Sequence, residues 1–183
     1  VQEYLDFGLW AFGASRYSGC WVGFKAVSDC VESSASVSID PMRVTLREPT
    51  DFDMPEGGLN IDVAYQPVPY ELRLHEQKLP ALLAYARVNP VDRIVLDSPN
   101  AKLGIVTTGK GYLDLRQALD DLGIDEEKAA SVGVRVYKVG LTWPIEPEGM
   151  KAFARGLDEV MVVEEKRGFI EEQLTRLFYN MED

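Results

Sequence analysis

Residues that build most metal and nucleophile sites are nearly missing from this chain. Its 183 residues include two cysteines, Cys20 and Cys30, and one histidine, His75. The cysteine spacing matches no zinc or iron–sulfur pattern, so it predicts two structural thiols in a reduced compartment. No second histidine or nucleophile motif accompanies His75, which excludes a Ser/His/Asp or Cys/His arrangement. We therefore predict no catalytic and no metal-binding residue in this sequence.

Positive charge and long apolar runs are also scarce. Lysine and arginine number 19 against 30 aspartates and glutamates, giving a net charge of -11. This balance argues against nucleic acid and against an anionic membrane surface as partners. No apolar run approaches the roughly 20 residues that span a bilayer, and no signal-peptide pattern is visible. With 46% hydrophobic residues, the chain is predicted to be a cytoplasmic protein with a packed core.

Three apolar runs, each followed by a turn and a helical pattern, are the main positive feature. They occupy residues 103–108, 134–139 and 160–163. Repetition of strand, turn and helix predicts an α/β sheet that is mostly parallel, and such sheets bind ligands at the carboxyl ends of their strands. A short strand at 94–96 precedes the first run after a turn too short for a crossover helix. It therefore pairs antiparallel or lies elsewhere, and the sheet is mixed.

Apolar residues at helical spacing predict the helices that cover this sheet. Gly123 is expected to end the first of them, and Pro147 suits the first turn of the second. The three apolar stripes are Leu115, Ala118, Leu119 and Leu122; Met150, Phe153, Ala154 and Leu157; and Ile170, Leu174, Leu177 and Phe178.

The first ninety residues have a different character. Residues 2–14 read as helix from the start, and Phe24, Val27, Ser28 and Val31 have helical spacing. Alternation of apolar residues with serines at 34–39 predicts a half-buried strand. Residues 41–70 hold five prolines and predict an ordered linker with an edge strand at 59–63. A further helix is predicted from Leu79, Leu82, Leu83 and Ala86, where Pro80 requires a first turn or a kink.

The turn after the first apolar run is the leading candidate binding site. Residues 104–111 fit the first seven positions of a phosphate-binding P-loop, but Gly111 lacks the hydroxyl that would bind magnesium. Ile105 and Val106 also resemble buried strand rather than exposed loop. What remains is an anion site at a helix amino terminus, with Thr108, Gly109, Lys110 and Gly111 as its candidate residues. A tight strand-to-helix turn with no ligand is the favoured alternative.

Two other turns carry polar or aromatic residues. Glu164 and Glu165 pair two carboxylates at a strand end, a pattern compatible with acid–base chemistry. The adjacent Lys166 and Arg167 would keep both ionised, so a helix-start charge cluster or a subunit contact is favoured. Residues 143–147, Trp-Pro-Ile-Glu-Pro, could meet a ligand or seal a domain interface, and the interface is favoured.

Several strings spread over nearly the whole chain resemble the indolepyruvate ferredoxin oxidoreductases of the 2-oxoacid:ferredoxin oxidoreductase family. They are SRYSGCWVGFK at 15–25, VESSASV at 31–37, PEGGLNI at 55–61, DSPNAKLGIVTTGKGYLD at 97–114, RVYKVGLTWP at 135–144 and VVEEKR at 162–167.

This resemblance implies a fold and a domain order. Residues 1–40 resemble the end of a pyrimidine-side thiamine-diphosphate domain, 41–90 a proline-rich linker and helix, and 91–183 a transketolase carboxyl-terminal-like domain. The last is a three-layer α/β/α sandwich whose mixed sheet has an antiparallel first strand. Four strands are counted after residue 90, so the fifth is expected beyond residue 183, and the chain is expected to be a fragment of a longer polypeptide.

The resemblance also implies a reaction for the parent enzyme, the oxidative decarboxylation of an aryl 2-oxoacid to acyl-CoA. It implies thiamine diphosphate, magnesium and iron–sulfur clusters as cofactors, none of them in this fragment, and ferredoxin, coenzyme A, the remaining domains and a homodimer mate as partners. The cluster cysteines and the diphosphate motif are absent here, so no catalytic residue is carried over. We predict a non-catalytic structural segment; the alternative is an anion- or nucleotide-binding regulatory α/β module using the turn at 108–111.

Overall fold

The computed structural model describes residues 1–40, 42–61, 67–179 and 181. The chain divides into two compact units, Val1–Asn89 and Pro90–Asp183. In the described residues, unit 1 is made of helices and irregular segments, and unit 2 carries a β-sheet. None of the helices in these ranges has both the length and the apolar character needed to cross a membrane.

Unit 1 is built on helices α1 (Gln2–Ser18) and α4 (Leu79–Val88), which pack on each other. The Trp10 and Tyr85 rings meet edge to face with centroids 5.7 Å apart, and the Trp10 indole donates a 2.7 Å hydrogen bond to the Asn89 carbonyl. Gly13 permits this approach, because a Cβ there would lie 2.2 Å from the Tyr85 hydroxyl. Helix α1 ends at Gly19 in the left-handed conformation that glycine favours. The predicted amino-terminal helix is thus confirmed.

A long bent helical segment precedes the end of unit 1. It runs through α3 (Pro67–Arg73), a π-helical turn (Leu74–Lys78) and α4. Pro80 has no N–H for the helical ladder and its ring crowds the carbonyl four residues earlier. The wider π-turn lies directly before Pro80, as expected where a helix must accommodate that conflict. Pro67, assigned to the linker from the sequence, instead opens α3, because a first turn tolerates proline.

Two predictions for the middle of unit 1 are wrong. Residues 34–39 form no strand: Ile39 is exposed, and the backbone of Ser38 exchanges hydrogen bonds with the Gln2 side-chain amide rather than with a neighbouring strand. The helix predicted over 24–31 shrinks to the single exposed turn α2 (Ser28–Val31). Residues 59–61 of the proposed edge strand form no β-ladder. The rest of that prediction, Asp62 and Val63, lies outside the described residues, as does Pro41.

Unit 2 holds a mixed four-stranded sheet with order β1-β3-β2-β4 in the residues described. Its strands are β1 (Arg93–Leu96), β2 (Leu103–Thr108), β3 (Val134–Val139) and β4 (Glu159–Val163). Strands β2, β3 and β4 are parallel, and β1 runs antiparallel to β3. The short turn after β1 does exclude parallel pairing with β2, and β1 lies two strands away instead.

Helices cover both faces of this sheet, so the predicted α/β/α layering is confirmed. On one face α7 (Pro147–Ala154) and α8 (Phe169–Phe178) form a core with β2 and β3 that includes Val106, Val139, Met150, Phe153 and Ile170. On the other face α5 (Gly109–Asp121) and α6 (Glu126–Val132) cover Ile105 and Val136 with Leu115, Leu119 and Ala129.

Details of these helices differ from the predicted stripes. Ala118 and Leu122 are exposed, and Leu157 lies beyond the end of α7 while still packing against the core. Gly123 has a φ of 66° and ends α5, as predicted. The sequence reading missed α6, although Asp125 is a standard amino-terminal cap whose carboxylate accepts a 2.8 Å bond from the Lys128 N–H.

Candidate functional site

The parallel register brings three sequence-predicted turns to one edge of the sheet. Thr108 pairs with Val139, and Thr107 pairs with Val163, so β2, β3 and β4 end side by side. Helix α5 leaves this edge toward one face, whereas α7 and α8 cover the other. Divergent connections of this kind are where parallel α/β sheets most often bind ligands. The edge is therefore the candidate site.

In the β2–α5 turn, the predicted anion-site residues already have protein partners. The Thr108 hydroxyl donates a 2.9 Å bond to the Val139 carbonyl, and α5 begins without a side-chain cap. The Lys110 ammonium lies 2.8 Å from Asp114 one turn along the helix. Thr108, Gly109, Lys110 and Gly111 lie together in this turn. Val139 and Asp114 would compete with an anion for the Thr108 hydroxyl and the Lys110 ammonium.

The two glycines in this turn are needed for different reasons. Gly109 adopts a φ of 55°, which a side chain rarely tolerates. Gly111 is buried against β4, and a Cβ there would lie 3.2 Å from the Val163 carbonyl oxygen and 3.3 Å from the Thr107 hydroxyl. Ile105 and Val106 are buried strand residues. A P-loop needs these positions in a loop whose backbone N–H groups face the phosphates, so the P-loop interpretation is excluded.

The ring of Tyr112, in the first turn of α5, covers a buried cation. The Lys138 ammonium at the end of β3 lies 4.7 Å from its ring centroid. The Lys138 side chain is buried, so this contact shields it from water. The positive charge near the start of α5 is therefore held inside the protein.

The β3–α7 turn, residues 140–146, is fastened at several points. Asp92, just before β1, accepts bonds of 2.6 and 2.9 Å from the backbone N–H groups of Gly140 and Leu141. Gln173 of α8 accepts from the Ile145 N–H at 3.1 Å and donates to the Thr142 carbonyl at 2.9 Å. The turn contains a cis peptide bond between Trp143 and Pro144 and exposes about half of the Trp143 side chain.

Acidic groups converge beneath this turn. Burial raises the pKa of Asp92, and the nearby Glu146 carboxylate raises it further, against the lowering effect of the two N–H bonds. Burial, with Asp92 and Glu146 nearby, also raises the pKa of the Tyr137 hydroxyl. The buried Glu146 caps α7 by accepting from the N–H groups of Glu148 and Gly149. These acids serve the backbone of the turn.

The β4–α8 turn contains the paired carboxylates. Both oxygens of Glu164 accept backbone bonds from the first turn of α8, from the Ile170 N–H at 2.8 Å and the Glu171 N–H at 3.2 Å. Arg167 lies 3.6 Å from Glu172, and Glu165 is exposed. The favoured reading of a helix-start charge cluster is confirmed, and the arrangement offers no matched acid and base.

The sequence reading missed Asp92, Gln173 and the capping role of Glu146. Glu146 directly before Pro147 was a detectable signal, because an acidic residue before a first-turn proline fits an amino-terminal cap. Asp92 and Gln173 had no local signal, since their partners lie 28 to 49 positions away in sequence. Such contacts depend on the packing of the sheet.

The remaining predicted residues give no reactive set. Cys20 and Cys30 are free thiols, and His75 is exposed on the π-helical turn. Across the described ranges, no three His, Cys, Asp or Glu side chains are grouped as metal ligands. Iron–sulfur clusters need about four cysteines, so the two cysteines of this sequence do not fit one.

The fold and this edge define a three-layer α/β protein whose strand-end polar groups are used largely by its own backbone. Residues 93–183 match the family model described as the indolepyruvate oxidoreductase domain. Residues 93–183 of this chain therefore belong to the indolepyruvate oxidoreductase family.

Two curated relatives of this chain have the same name. The indolepyruvate oxidoreductase subunit IorA of Methanothermobacter thermautotrophicus is 26% identical over 178 residues, covering 94% of this chain and 26% of that protein. IorA of Pyrococcus abyssi is 35% identical over 75 residues, covering 41% of this chain and 10% of the relative. The chain thus spans a tenth to a quarter of the length of these curated relatives.

A solved structure also aligns with this chain. It is a 2-oxoglutarate:ferredoxin oxidoreductase from Magnetococcus marinus, which is 21% identical with a TM-score of 0.47. The alignment covers 69% of this chain and 21% of that one.

Proposed function

We propose that this chain is a non-catalytic structural segment of an indolepyruvate-type 2-oxoacid:ferredoxin oxidoreductase. The observation that carries the proposal is the family match over residues 93–183. The relative that aligns along 94% of the chain supports extending the assignment beyond that range. Under this proposal the domain order is 1–40, the end of a pyrimidine-side thiamine domain; 41–90, a linker and helix; and 91–183, a transketolase carboxyl-terminal-like domain.

The reaction belongs to the whole enzyme. An aryl 2-oxoacid and coenzyme A are converted to acyl-CoA and carbon dioxide, and the electron pair released passes to ferredoxin. Thiamine diphosphate, magnesium and iron–sulfur clusters would be held by other domains; in support, the sequence has two cysteines and the described residues group no three His, Cys, Asp or Glu side chains. A cytoplasmic location and a homodimeric parent are part of the same proposal, and the free thiols of Cys20 and Cys30 fit a reducing compartment.

The non-catalytic role draws support from the sheet edge. Asp92, Glu146 and Glu164, the acids best placed for chemistry, each accept backbone N–H bonds. A carboxylate engaged in this way orders a turn or a helix start. We assign these residues to positioning the turns after β3 and β4, and we assign the exposed Trp143 to a domain interface.

A thermal-shift titration with thiamine diphosphate and Mg²⁺ tests the non-catalytic role. We expect no saturable rise in the midpoint for this chain, because a ligand stabilises a protein only when it binds the folded state. The full-length protein should instead show saturable stabilisation and ferredoxin reduction that depends on an aryl 2-oxoacid and coenzyme A. Saturable stabilisation of the 183-residue chain would refute the assignment.

A second candidate is an anion-binding regulatory module at residues 108–111. The observation in its favour is that α5 starts without a side-chain cap, because the Thr108 hydroxyl bonds to Val139. The first-turn N–H groups and the helix dipole would then attract a phosphate. Titration with inorganic phosphate, monitored by calorimetry, should show binding that Lys110→Ala weakens; equal binding by this variant would remove the second candidate.

A further inference from the structure

The turn after β3 is held at its two ends by groups of different chemistry. The N–H groups of residues 140–141 donate to the Asp92 carboxyl group at 2.6 and 2.9 Å. Within residues 142–145, one carbonyl and one N–H group bond to the Gln173 amide. A carboxyl group exchanges a proton with solvent in the ordinary pH range, whereas an amide does not. Of the two ends, the one held by Asp92 can therefore respond to pH.

Both N–H bonds to Asp92 use the same oxygen atom. Gly140 and Leu141 each donate to Oδ1. A proton on Oδ2 leaves both bonds in place, because a protonated carboxyl group keeps an acceptor oxygen. Asp92 is partly exposed, so a proton can reach it from solvent. The turn is thus compatible with a neutral Asp92.

Two buried side chains lie within electrostatic reach of Asp92. They are Glu146, the cap of α7, and Tyr137 of β3, each 6% exposed. A Cβ on Gly149 would lie 3.0 Å from Glu146 Oε2 and 3.2 Å from the Tyr137 hydroxyl oxygen, so these two oxygens border one small space. Burial and the Glu146 charge raise the pKa of Asp92 against the two N–H bonds, which lower it. The pKa of Tyr137 is also raised, so its hydroxyl keeps its proton.

Other charged groups near this point lie on different surfaces. Arg93, the residue after Asp92, pairs in register with Lys138, and paired residues share a face of the sheet. The Lys138 ammonium lies under an aromatic ring of α5, on the face opposite α7. On α7, Glu148 is exposed and lies 3.5 Å from Lys151. Of the charged side chains in the described residues, the one on α7 that opposes ionisation of Asp92 is therefore its cap.

The turn packs closely on the segment before β1. A Cβ on Gly140 would lie 2.6 Å from the Val91 carbonyl oxygen, so the two backbones are in direct contact. Fuller hydration of Asp92 therefore requires residues 140–141 to move away. Trp143 follows two residues later and is 52% exposed, so this movement changes the position of an apolar side chain at the surface.

We propose that Asp92, Tyr137 and Glu146 form a proton-dependent switch that controls the turn after β3. With a proton on Asp92 Oδ2, the turn stays bound at residues 140–141. When that proton passes to solvent, both carboxyl groups are charged and Asp92 gains water, so the turn opens at this end. The proton thereby determines how firmly Trp143 is held at the surface. The switch involves residues of unit 2 alone and does not depend on the reaction assigned to the parent enzyme.

Amide hydrogen exchange measured by NMR on this chain tests the proposal. From about pH 4 to about pH 8, the protection of the Gly140 and Leu141 N–H groups should fall about tenfold once the intrinsic pH dependence of exchange is removed. The indole N–H signal of Trp143, which is one of three tryptophans, should shift with the same midpoint. Protection that stays constant over this range would overturn the proposal.

Asp92→Asn reproduces the protonated side chain at every pH. The amide keeps a carbonyl oxygen for both N–H bonds and places donor hydrogens where the carboxyl proton would be. Protection at residues 140–141 should therefore stay high across the whole range. A fall in protection at the parent midpoint would assign the titration to another group and overturn the proposal.

Gln173→Ala is the matched control, because it removes the bonds at the other end of the turn without changing a titratable group. Residues 140–141 should keep the parent midpoint in this variant. Loss of the pH dependence there would mean that the turn responds as a whole and would contradict a switch located at Asp92.

Glu146→Gln removes the neighbouring negative charge and should move the midpoint to lower pH, since a like charge no longer opposes ionisation of Asp92. An unchanged or higher midpoint would overturn the three-residue switch. Because Glu146 also caps α7, this variant is compared below its melting temperature, and if it fails to fold the Asp92→Asn comparison decides. Ferredoxin reduction by the full-length protein reports separately on the proposed function, and its absence would leave these amide measurements unchanged.

Discussion

One surface of unit 1 and one surface of unit 2 differ in whether their own chain provides partners for the exposed groups. At the carboxyl edge of the sheet in unit 2, Asp92, Glu164 and Gln173 hold backbone groups of the turns. In unit 1, Phe12 on the outward side of α1 and Trp21, three residues after the end of this helix, lie exposed. These polar groups of the first surface have hydrogen-bond partners in their own chain, whereas the second surface exposes apolar area, which is unfavourable in water.

This difference teaches where to look for partners. A strand-end edge whose acids already bond to backbone N–H groups has little free capacity for a ligand, even though such edges are common ligand sites. An apolar helix face has no internal partner, so its stabilisation depends on what covers it. Substitutions at the strand-end edge of unit 2 should therefore change the stability of this chain more than substitutions on the exposed side of α1.

The largest expected effect comes from the core of unit 2. Phe153→Ala should cost about 3–5 kcal/mol, because the ring is buried against Tyr137 and its removal leaves a cavity. Phe12→Ala, at a residue that is 69% exposed, should change stability by less than about 0.5 kcal/mol in the same chain. Urea unfolding followed by circular dichroism measures both; a similar loss from the two would erase the contrast between the units.

The next effect probes the fastened turn after β3. Asp92→Ala leaves the Gly140 and Leu141 N–H groups without their acceptor, which should cost about 2–4 kcal/mol. Asp92→Asn keeps a carbonyl oxygen for both bonds and should not lose this stability. Chemical denaturation of the two variants provides the comparison, and an Asn variant as weak as the Ala variant would contradict this account.

The raised pKa of Asp92 sets the sign of a pH effect. Between its unfolded value of 3.8 and its raised folded value, the folded state binds more protons than the unfolded state. The Asp92 contribution to stability therefore falls as pH rises through this window and is regained on acidification. Unfolding curves of the parent chain and of Asp92→Asn should diverge above the window, with the Asn variant gaining relative stability.

A smaller effect is expected at the start of α8. Glu164→Ala removes the acceptor for two N–H groups in the first turn and should cost about 0.5–2 kcal/mol, as loss of a helix cap does. Glu165→Ala, at the exposed neighbour, should be close to neutral. Thermal unfolding of the two variants decides between a capping carboxylate and a general surface-charge effect, since the latter would make them equal.

The smallest expected effect is at the candidate anion turn. Lys110→Ala loses an exposed pair with Asp114 at helical spacing, worth no more than about 0.5 kcal/mol. The measurement is the unfolding midpoint with and without inorganic phosphate. A larger loss that appears only with phosphate would assign the turn a ligand and would weaken the contrast between the two units.

Local sequence patterns were sufficient for much of unit 2. Strands at 103–108 and 134–139 were predicted because short apolar runs followed by a turn and a helical pattern suit the strands of a parallel α/β sheet. The mixed sheet followed from the short turn after β1. In unit 1 the same approach failed at 34–39, where an alternating pattern occurs on an exposed segment held by Gln2. Periodicity records which residues alternate, and it does not record whether a neighbouring strand exists.

The sequence by itself determined the α/β class, the positions of the buried strands and the three turns at one edge, since all of these depend on residue type and local order. Only the tertiary structure decided that Asp92 and Gln173 fasten the turn after β3, that Glu164 caps α8, and that α1 keeps an uncovered apolar side. The Asp92 and Gln173 bonds join atoms that lie far apart in sequence, and Glu164 reaches α8 only across the turn after β4. All of these features depend on how the elements pack, because hydrogen bonds and burial depend on distance in space.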